Sequence, residues 1–369
     1  MMREYFGRIT DNRQAWKVKH SLLEIIVMTI CAVIAGCDVW EDIADYCRVK
    51  ESWFKESLHM TLENGIPSHD TLQRVWGMIE PKEFEACFCE WIQAVCQKTK
   101  GEIVSLDGKT MRGSGGKKQK PIHMVSAWAN AQQMVLGQLA TDEKSNEITA
   151  VPELLEMLDV AGCIITADAM SCQKEIVKKI SEKEADYVLG LKDNQPTMRR
   201  EVEEYFVAAQ QELQNYPEVK TTKTKDYGHG RIETRTYYLT TEVDWFESRK
   251  DWCNLRSFGM VRSRVEQGDK ITEDTRYYIS SLEDVSDFAE AARKHWGIEN
   301  SLHWCLDMTF REDYCRIRKD HSAENMAVVR HMALNILKNY PAKISLARKR
   351  RRCAYDDAFF ADVMNSVHA

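Results

Sequence analysis

The chain has 369 residues, 44% hydrophobic and 29% charged, proportions ordinary for a globular protein with one large core or two domains. A formal net charge of -6 excludes a uniformly basic surface but leaves local basic grooves open. The twelve cysteines follow no zinc, redox or disulfide spacing; even Cys87 and Cys89 stand two apart, so reduced thiols in the cytoplasm are expected. The longest apolar run, Leu22 to Gly36, is too short to span a membrane and contains Glu24. A long mixed-charge stretch precedes it, which excludes a signal peptide.

Residues 1–97 are expected to be all-helical. Helical spacing of apolar residues predicts a helix over Val18–Ala35, stopped by Gly36, and a second over Val39–Cys47. In GIPSHDTLQRVWGMIE, Gly65 and Pro67 break the chain, and Ser68 or Asp70 caps a new helix. Gln73 follows Asp70 by three, as in a capping box, and Arg74 falls on the exposed side. Pro81 suits the first position of a helix reaching Val95.

From residue 98 the pattern changes. EIVSLDG, HMVSAWAN and MVLGQLA read as three antiparallel strands, with a hairpin at Ala129–Gln133. Ala150–Leu158 reads as a helix with Pro152 in its first turn, CIITADA as a buried strand, Gln173–Ala185 as an amphipathic helix and DYVLGLK as a strand. The order βββ-α-β-α-β predicts an α/β fold with a ribonuclease-H-like core over residues 98–340. Residues 197–285 interrupt it with a helix, Thr197–Leu213, and the strand-like TRTYYLTTEVDW, SFGMVRSRVEQ and TRYYISSL, a β-rich insertion. A helical segment bearing Glu299 resumes the core. Residues 341–369 read as a basic tail containing Arg348-Lys349-Arg350-Arg351-Arg352.

Three acids stand where such a fold aims them at one point. Asp107 and Asp168 each close an apolar, β-branched run, and Glu299 lies in HWGIENSLHW. Taken singly, either Asp is a turn residue. Taken together, they suit two Mg²⁺ or Mn²⁺ ions, which neutralise attacking and leaving oxygens in phosphodiester chemistry and need few carboxylates. Lys109 and Arg112, with Lys117, Lys118 and Lys120, form a glycine-interleaved loop that can track DNA phosphates or stay an ordinary solvated loop. Lys192, Asn194 and Gln195 can touch DNA or cap a turn. His229, Arg231, Glu233 and Arg235 would share one strand face, toward nucleic acid or as a charge-paired strand. His295, Glu299 and His303 share a helix face, but a zinc site there would leave both aspartates unexplained. Trp296 and Trp304 are expected to pack that helix onto the core. Arg348 and Arg350 can bind DNA or form a solvated helix end.

These motifs resemble the H-repeat-associated transposases of bacterial insertion sequences, within the DDE transposase superfamily, nearly end to end. The matching strings are GIPSHDTLQRVW, SLDGKTMRGS, ITADAM, LKDNQPTM, HGRIETR and, most specific, HWGIENSLHWCLDMTFREDYCRIR. The resemblance implies catalytic roles for Asp107, Asp168 and Glu299 and an N-terminal DNA-binding domain. It implies Mg²⁺ (or Mn²⁺), double-stranded DNA as partner, and a homo-oligomer on DNA. Where many relatives carry Arg and Lys around the Glu, this chain has His295 and Leu306, so Arg293 and His303 are the candidates for orienting the element end. The expected activity is metal-dependent cleavage of element ends and strand transfer. The alternatives are a catalytically silent DNA-binding repressor and a nuclease without strand transfer.

Overall fold

A computed structural model describes residues 2–96, 100–116, 120–141, 147–228 and 230–366. In chain order the elements begin with helices α1 (Met2–Phe6), α2 (Leu22–Ala35), α3 (Trp40–Val49), α4 (Glu51–Ser57), α5 (His69–Trp76) and α6 (Pro81–Val95). Strands β1 (Ile103–Thr110), β2 (His123–Ala129) and β3 (Met134–Thr141) follow, then α7 (Glu147–Met157), β4 (Ile164–Ala167), α8 (Lys174–Glu182) and β5 (Asp186–Leu191). Next come α9 (Pro196–Gln211), β6 (Lys220–Gly228), β7 (Arg231–Thr240), β8 (Ser257–Gln267), β9 (Lys270–Ser280) and α10 (Val285–Lys294). A π-helical turn, Glu299–His303, leads into α11 (Trp304–Met308), α12 (Ser322–Asn339), α13 (Leu346–Tyr355) and α14 (Asp357–Ser366). Two compact units interleave along the chain: Met1–Lys98 with Gly108–Asn146 and Glu299–Ala369, and Thr99–Asp107 with Glu147–Ile298.

In the first unit every regular element described between 2 and 96 is helical; α2, α5 and α6 pack against α12, and α2 also against α13. The apolar α2 is buried along most of its length and ends at Gly36, whose φ of 109° is the left-handed conformation glycine tolerates. Several polar side chains in this core pair with groups far away in sequence. The Trp76 indole donates to Thr29 Oγ1 at 2.9 Å, and the Asn325 amide donates to the carbonyls of Trp76 (3.1 Å) and Ile79 (3.0 Å). Asn335 exchanges two bonds with the Val135 backbone of β3, at 2.8 and 2.9 Å.

Several local expectations are corrected here. Ser68, not Asp70, caps α5, accepting from the Thr71 amide at 3.3 Å. Pro152 sits inside α7, which starts three residues earlier than expected. Residues 346–366 are two packed helices rather than a tail. Arg350 is buried because its guanidinium satisfies the carbonyls of Thr309 and Val33 (2.6 Å) and lies 3.6 Å from Asp38 Oδ1. Lys349 likewise donates to the carbonyls of Leu337 (2.7 Å) and Tyr340 (2.5 Å). Arg348 stays exposed.

In the second unit the strand order is β1-β4-β5-β9-β8-β7-β6. β1, β4 and β5 are parallel, and β9 joins β5 antiparallel with Val188 opposite Ser280. The β-rich insertion therefore extends the same sheet. Its outermost strand, β6 (KTTKTKDYG), is exposed and lysine-rich, the composition of a protected edge, and shows too little apolar alternation to be read from sequence. α10 covers this sheet through Phe288, Ala291 and Ala292, packed with Tyr237, Leu239 and Val188. Gly259 on β8 makes room, since a Cβ there would run into the Phe288 ring. In the first unit β2 and β3 form the expected antiparallel hairpin, and the order is β3-β2-β1. β1 is thus common to both units, passing from Asp107 in one to Gly108 in the other.

Two tests of stability follow from this packing. Gly259→Ala should destabilise by about 1–3 kcal/mol, the usual cost of overpacking, with Phe288→Leu in the same chain restoring part of the loss in thermal melts. Glu85 of α6 is buried, accepts the Gln138 amide at 2.8 Å, and burial pushes its carboxyl from an ordinary 4.5 up to about 8. A raised folded pKa means that its contribution is fully present below 4.5 and is lost as pH rises through about 8. Glu85→Gln should remove that alkaline-side decline, giving a higher Tm than the parent at pH 8.

Candidate active site

The register of β1 and β4 places the first two acids. Leu106 lies opposite Ala167, so Asp107 and Asp168 take the next step on neighbouring parallel strands. This is the carboxyl end of parallel strands, where open α/β sheets bind their ligands. Both side chains are half-buried. Asp168 leaves β4 at once, whereas β1 runs on to Thr110, so Asp107 does not end its strand as expected. Asp168 Oδ1 accepts the Met170 amide at 2.9 Å and caps the 3-10 turn Ala169–Ser171.

That turn is held from β5. At Gly190 a Cβ would stand 3.1 Å from the Ala169 nitrogen, so glycine permits the close approach. Asn194 donates its amide to the carbonyls of Ala169 (2.6 Å) and Cys172 (3.4 Å), and Gln195 donates to Cys172 at 3.1 Å. These two side chains, candidates for DNA contact, instead brace the loop after Asp168. Lys192 beside them is exposed. On β4, Thr166 donates to Ser105 Oγ at 3.0 Å and lies 3.1 Å from His295 Nδ1. His295 thus ties the end of α10 to the strand two residues before Asp168.

In the first unit the wider π-helical turn sets Glu299 and His303 on one side, with Oε2 and Nδ1 3.5 Å apart. Glu299 is exposed and His303 buried. Lys109, expected at a phosphate, is turned inward. Its Nζ meets Asp307 Oδ1 at 2.7 Å, Glu312 Oε2 at 3.0 Å and Asp313 Oδ1 at 3.3 Å. Arg330 reaches the other oxygen of buried Glu312 at 3.3 Å. Burial pushes the Glu312 carboxyl up, but the Lys109 and Arg330 charges outweigh it and hold it below the ordinary range. Burial also drives His331 down to about 3, so its ring is neutral. Sequence reasoning missed Asp307, Glu312, Asp313, Arg330 and His331; Lys109, the partner of the three acids, lies some two hundred positions away from them. The only signal was the acidic pair inside FREDYCRIR.

The remaining candidates divide by their partners. Arg231, Glu233 and Arg235 do share a face of β7, but as a charge-paired row. Arg235 is paired with Asp226 (2.5 Å) and Glu233 and is largely covered, so it is not offered to DNA; Arg231 lies 3.9 Å from Glu233. Arg293, half-exposed, stands 3.7 Å from Asp226. Arg112 is exposed, with its Nε 3.6 Å from Asp313. His229, Lys117 and Lys118 lie outside the described residues. Trp296 and Trp304, expected in the core, are 43% and 59% exposed. The buried stripe is Ile298, Leu302 and Leu306, and both tryptophans stand two residues off it. Arg276 covers the Trp296 ring at 4.6 Å.

Two family descriptions match the chain, DDE_Tnp_1-associated over residues 3–92 and Transposase DDE domain over residues 98–336. "Putative transposase YncI" of Escherichia coli O157:H7 is 42% identical over 371 residues, spanning 98% of this chain and 94% of that protein. "H repeat-associated putative transposase YhhI" of Escherichia coli K12 is 41% identical over 370 residues, spanning 98% of this chain and 97% of that protein. A cryo-EM structure of a piggyBac transposase synaptic complex with hairpin DNA aligns with a TM-score of 0.44 at 11% identity, covering 99% of this chain and 77% of that one. The chain belongs to the DDE transposase family, with the H-repeat-associated transposases.

Proposed function

We propose that this protein cuts the ends of a mobile DNA element and joins them to target DNA, with Asp107, Asp168 and Glu299 as its metal-binding catalytic acids. The observation that carries the reading is the β1–β4 register, in which Asp107 and Asp168 each follow the last parallel pair, Leu106 opposite Ala167. A ribonuclease-H-like core is supported by the strand order on the two sides of β1, β3-β2-β1 and β1-β4-β5. Membership of the DDE family supports divalent-metal use. The three proposed acids offer carboxylate oxygens, the donor type that Mg²⁺ and Mn²⁺ prefer.

Bound metal would supply charge neutralisation on attacking and leaving oxygens of the phosphodiester. The chain's own residues do the positioning. Gly190, Asn194 and Gln195 hold the loop that aims Asp168, His295 ties α10 to β4, and His303 orients Glu299. A water attacks the phosphodiester at the element end, and the released 3′-hydroxyl then attacks a target phosphodiester, so no covalent enzyme intermediate is needed. The partner is double-stranded DNA, bound by a homo-oligomer. The N-terminal helices recognise the ends, and exposed Arg112, Lys192, Arg231, Arg293 and Arg348 meet phosphates. No single helix among the described residues is long and apolar enough to cross a membrane.

Purified protein, labelled element ends and Mg²⁺ test this reading. Joined products are expected; cleavage without joining would identify a nuclease, and binding without reaction a repressor. Asp107→Asn, Asp168→Asn and Glu299→Gln should each lower cleavage by about 10²–10³-fold or more while duplex binding persists, the scale of lost transition-state stabilisation. Wild-type activity in Asp107→Asn would overturn the assignment. Asn194→Ala should cost about tenfold in cleavage rate by loosening the Asp168 loop, the scale of a positioning defect, with the melting temperature nearly unchanged.

A further inference from the structure

Beyond the acids, the segment Arg311–Lys319 (REDYCRIRK) sorts its side chains by charge. Its two acids point inward: Glu312 is 2% exposed between Lys109 and Arg330, and Asp313 accepts from Lys109 at 3.3 Å and from the Arg112 amide at 3.2 Å. Cys315 and Ile317 are buried. Arg311, Tyr314, Arg316 and Lys319 are left facing solvent. Tyr314 is 74% exposed, and the Arg311 guanidinium lies 5.7 Å from its ring centroid. Trp304 and Met308, one turn apart on α11, are also exposed.

The segment is clamped rather than draped. Gly113 lies so close that a Cβ there would strike the carbonyls of Cys315 and Asp313, and Arg318 Nε donates to the Gly113 carbonyl at 2.7 Å. Arg311 adopts a left-handed φ of 51°, uncommon for a residue with a Cβ and sustained where surrounding contacts over-determine it. A chain of net charge -6 therefore carries one short segment with exposed cations, an exposed aromatic ring and acids paired to cations on their inner side.

We infer that this face binds unpaired DNA, with Tyr314 stacked on a base and Arg311, Arg316 and Lys319 against the neighbouring phosphates. Aromatic rings beside cations are how single strands are held without sequence preference, because every base offers a π-face once it leaves the duplex. Paired bases present only their edges in the grooves, so an exposed ring of this kind gains little from intact duplex. The inference deepens the proposed DNA chemistry by naming the form of substrate taken by one surface, and it rests on that reading. Lys109 is then a positioning residue for the platform.

Fluorescence anisotropy of the full chain in EDTA, with labelled oligo-dT and a duplex as separate probes, tests the platform apart from the metal centre. Tyr314→Ala should weaken oligo-dT binding roughly tenfold, the scale of one base–aromatic stack, while Tyr314→Phe retains it and duplex binding is unchanged. Arg316→Ala should lower the salt slope by about one counterion. Unchanged oligo-dT affinity in Tyr314→Ala would overturn the inference, as would equal losses for oligo-dT, duplex and heparin, a polyanion without bases. An inactive protein that still shows the Tyr314-dependent difference would count against strand transfer and leave the platform standing.

Discussion

The parallel pairing of β1 with β4 is the constraint on which the candidate chemistry depends. Side chains on a strand alternate, so a one-residue slip would turn Asp107 to the opposite face and separate it from Asp168. Buried Val104, Ile165 and Ala167 hold the register from below, because displacing any of them would expose apolar surface to water. Everything around Asp168 elaborates that one pairing. Its carboxylate caps the following turn, Gly190 lets the turn lie against β5, and two amides at the start of α9 pin its carbonyls. A loop so over-determined can carry a half-buried carboxylate without wandering.

Charge is handled in the same spirit in the other unit. Glu312 and Asp313 would be costly inside without partners, and Lys109, Arg330 and the Arg112 amide supply them. A buried pair of this kind is weak evidence for added stability, but breaking it is expensive, so it confers a fixed arrangement. The consequence is spatial: with its acids paired to cations, the exposed side chains of the Arg311–Lys319 segment are three bases and a tyrosine. The net charge of the chain says little about such a face.

Basic residues proved the least legible class. Arg350 and Lys349, read as a tail, cap helix-end carbonyls in the core, while Arg348 in the same block remains outside. Arg235 and Arg231 share a strand face, but only Arg235 is enclosed by two acids. A long cationic side chain satisfies a carbonyl, a carboxylate or a phosphate with the same donors, and which one it meets is set by distant segments. The tryptophans failed for a related reason. Helical spacing defines faces, and only the position of the buried stripe through Ile298, Leu302 and Leu306 decides which face is inside.

The sequence by itself determined the alternation of strands and helices between Ile103 and Leu191, the helical character of residues 2–96, and which acids are candidates for the site. Those properties rest on local periodicity, turn chemistry and motif spacing, which neighbours along the chain control. It also carried the family, through strings whose residue order needs no fold to be read. Only the tertiary structure decided that Leu106 pairs with Ala167 in parallel register, that the insertion lengthens the sheet through β9, and that Lys109 turns inward. Each of these is a pairing between residues far apart in sequence, chosen by register, burial and charge neutralisation, and no local pattern records them.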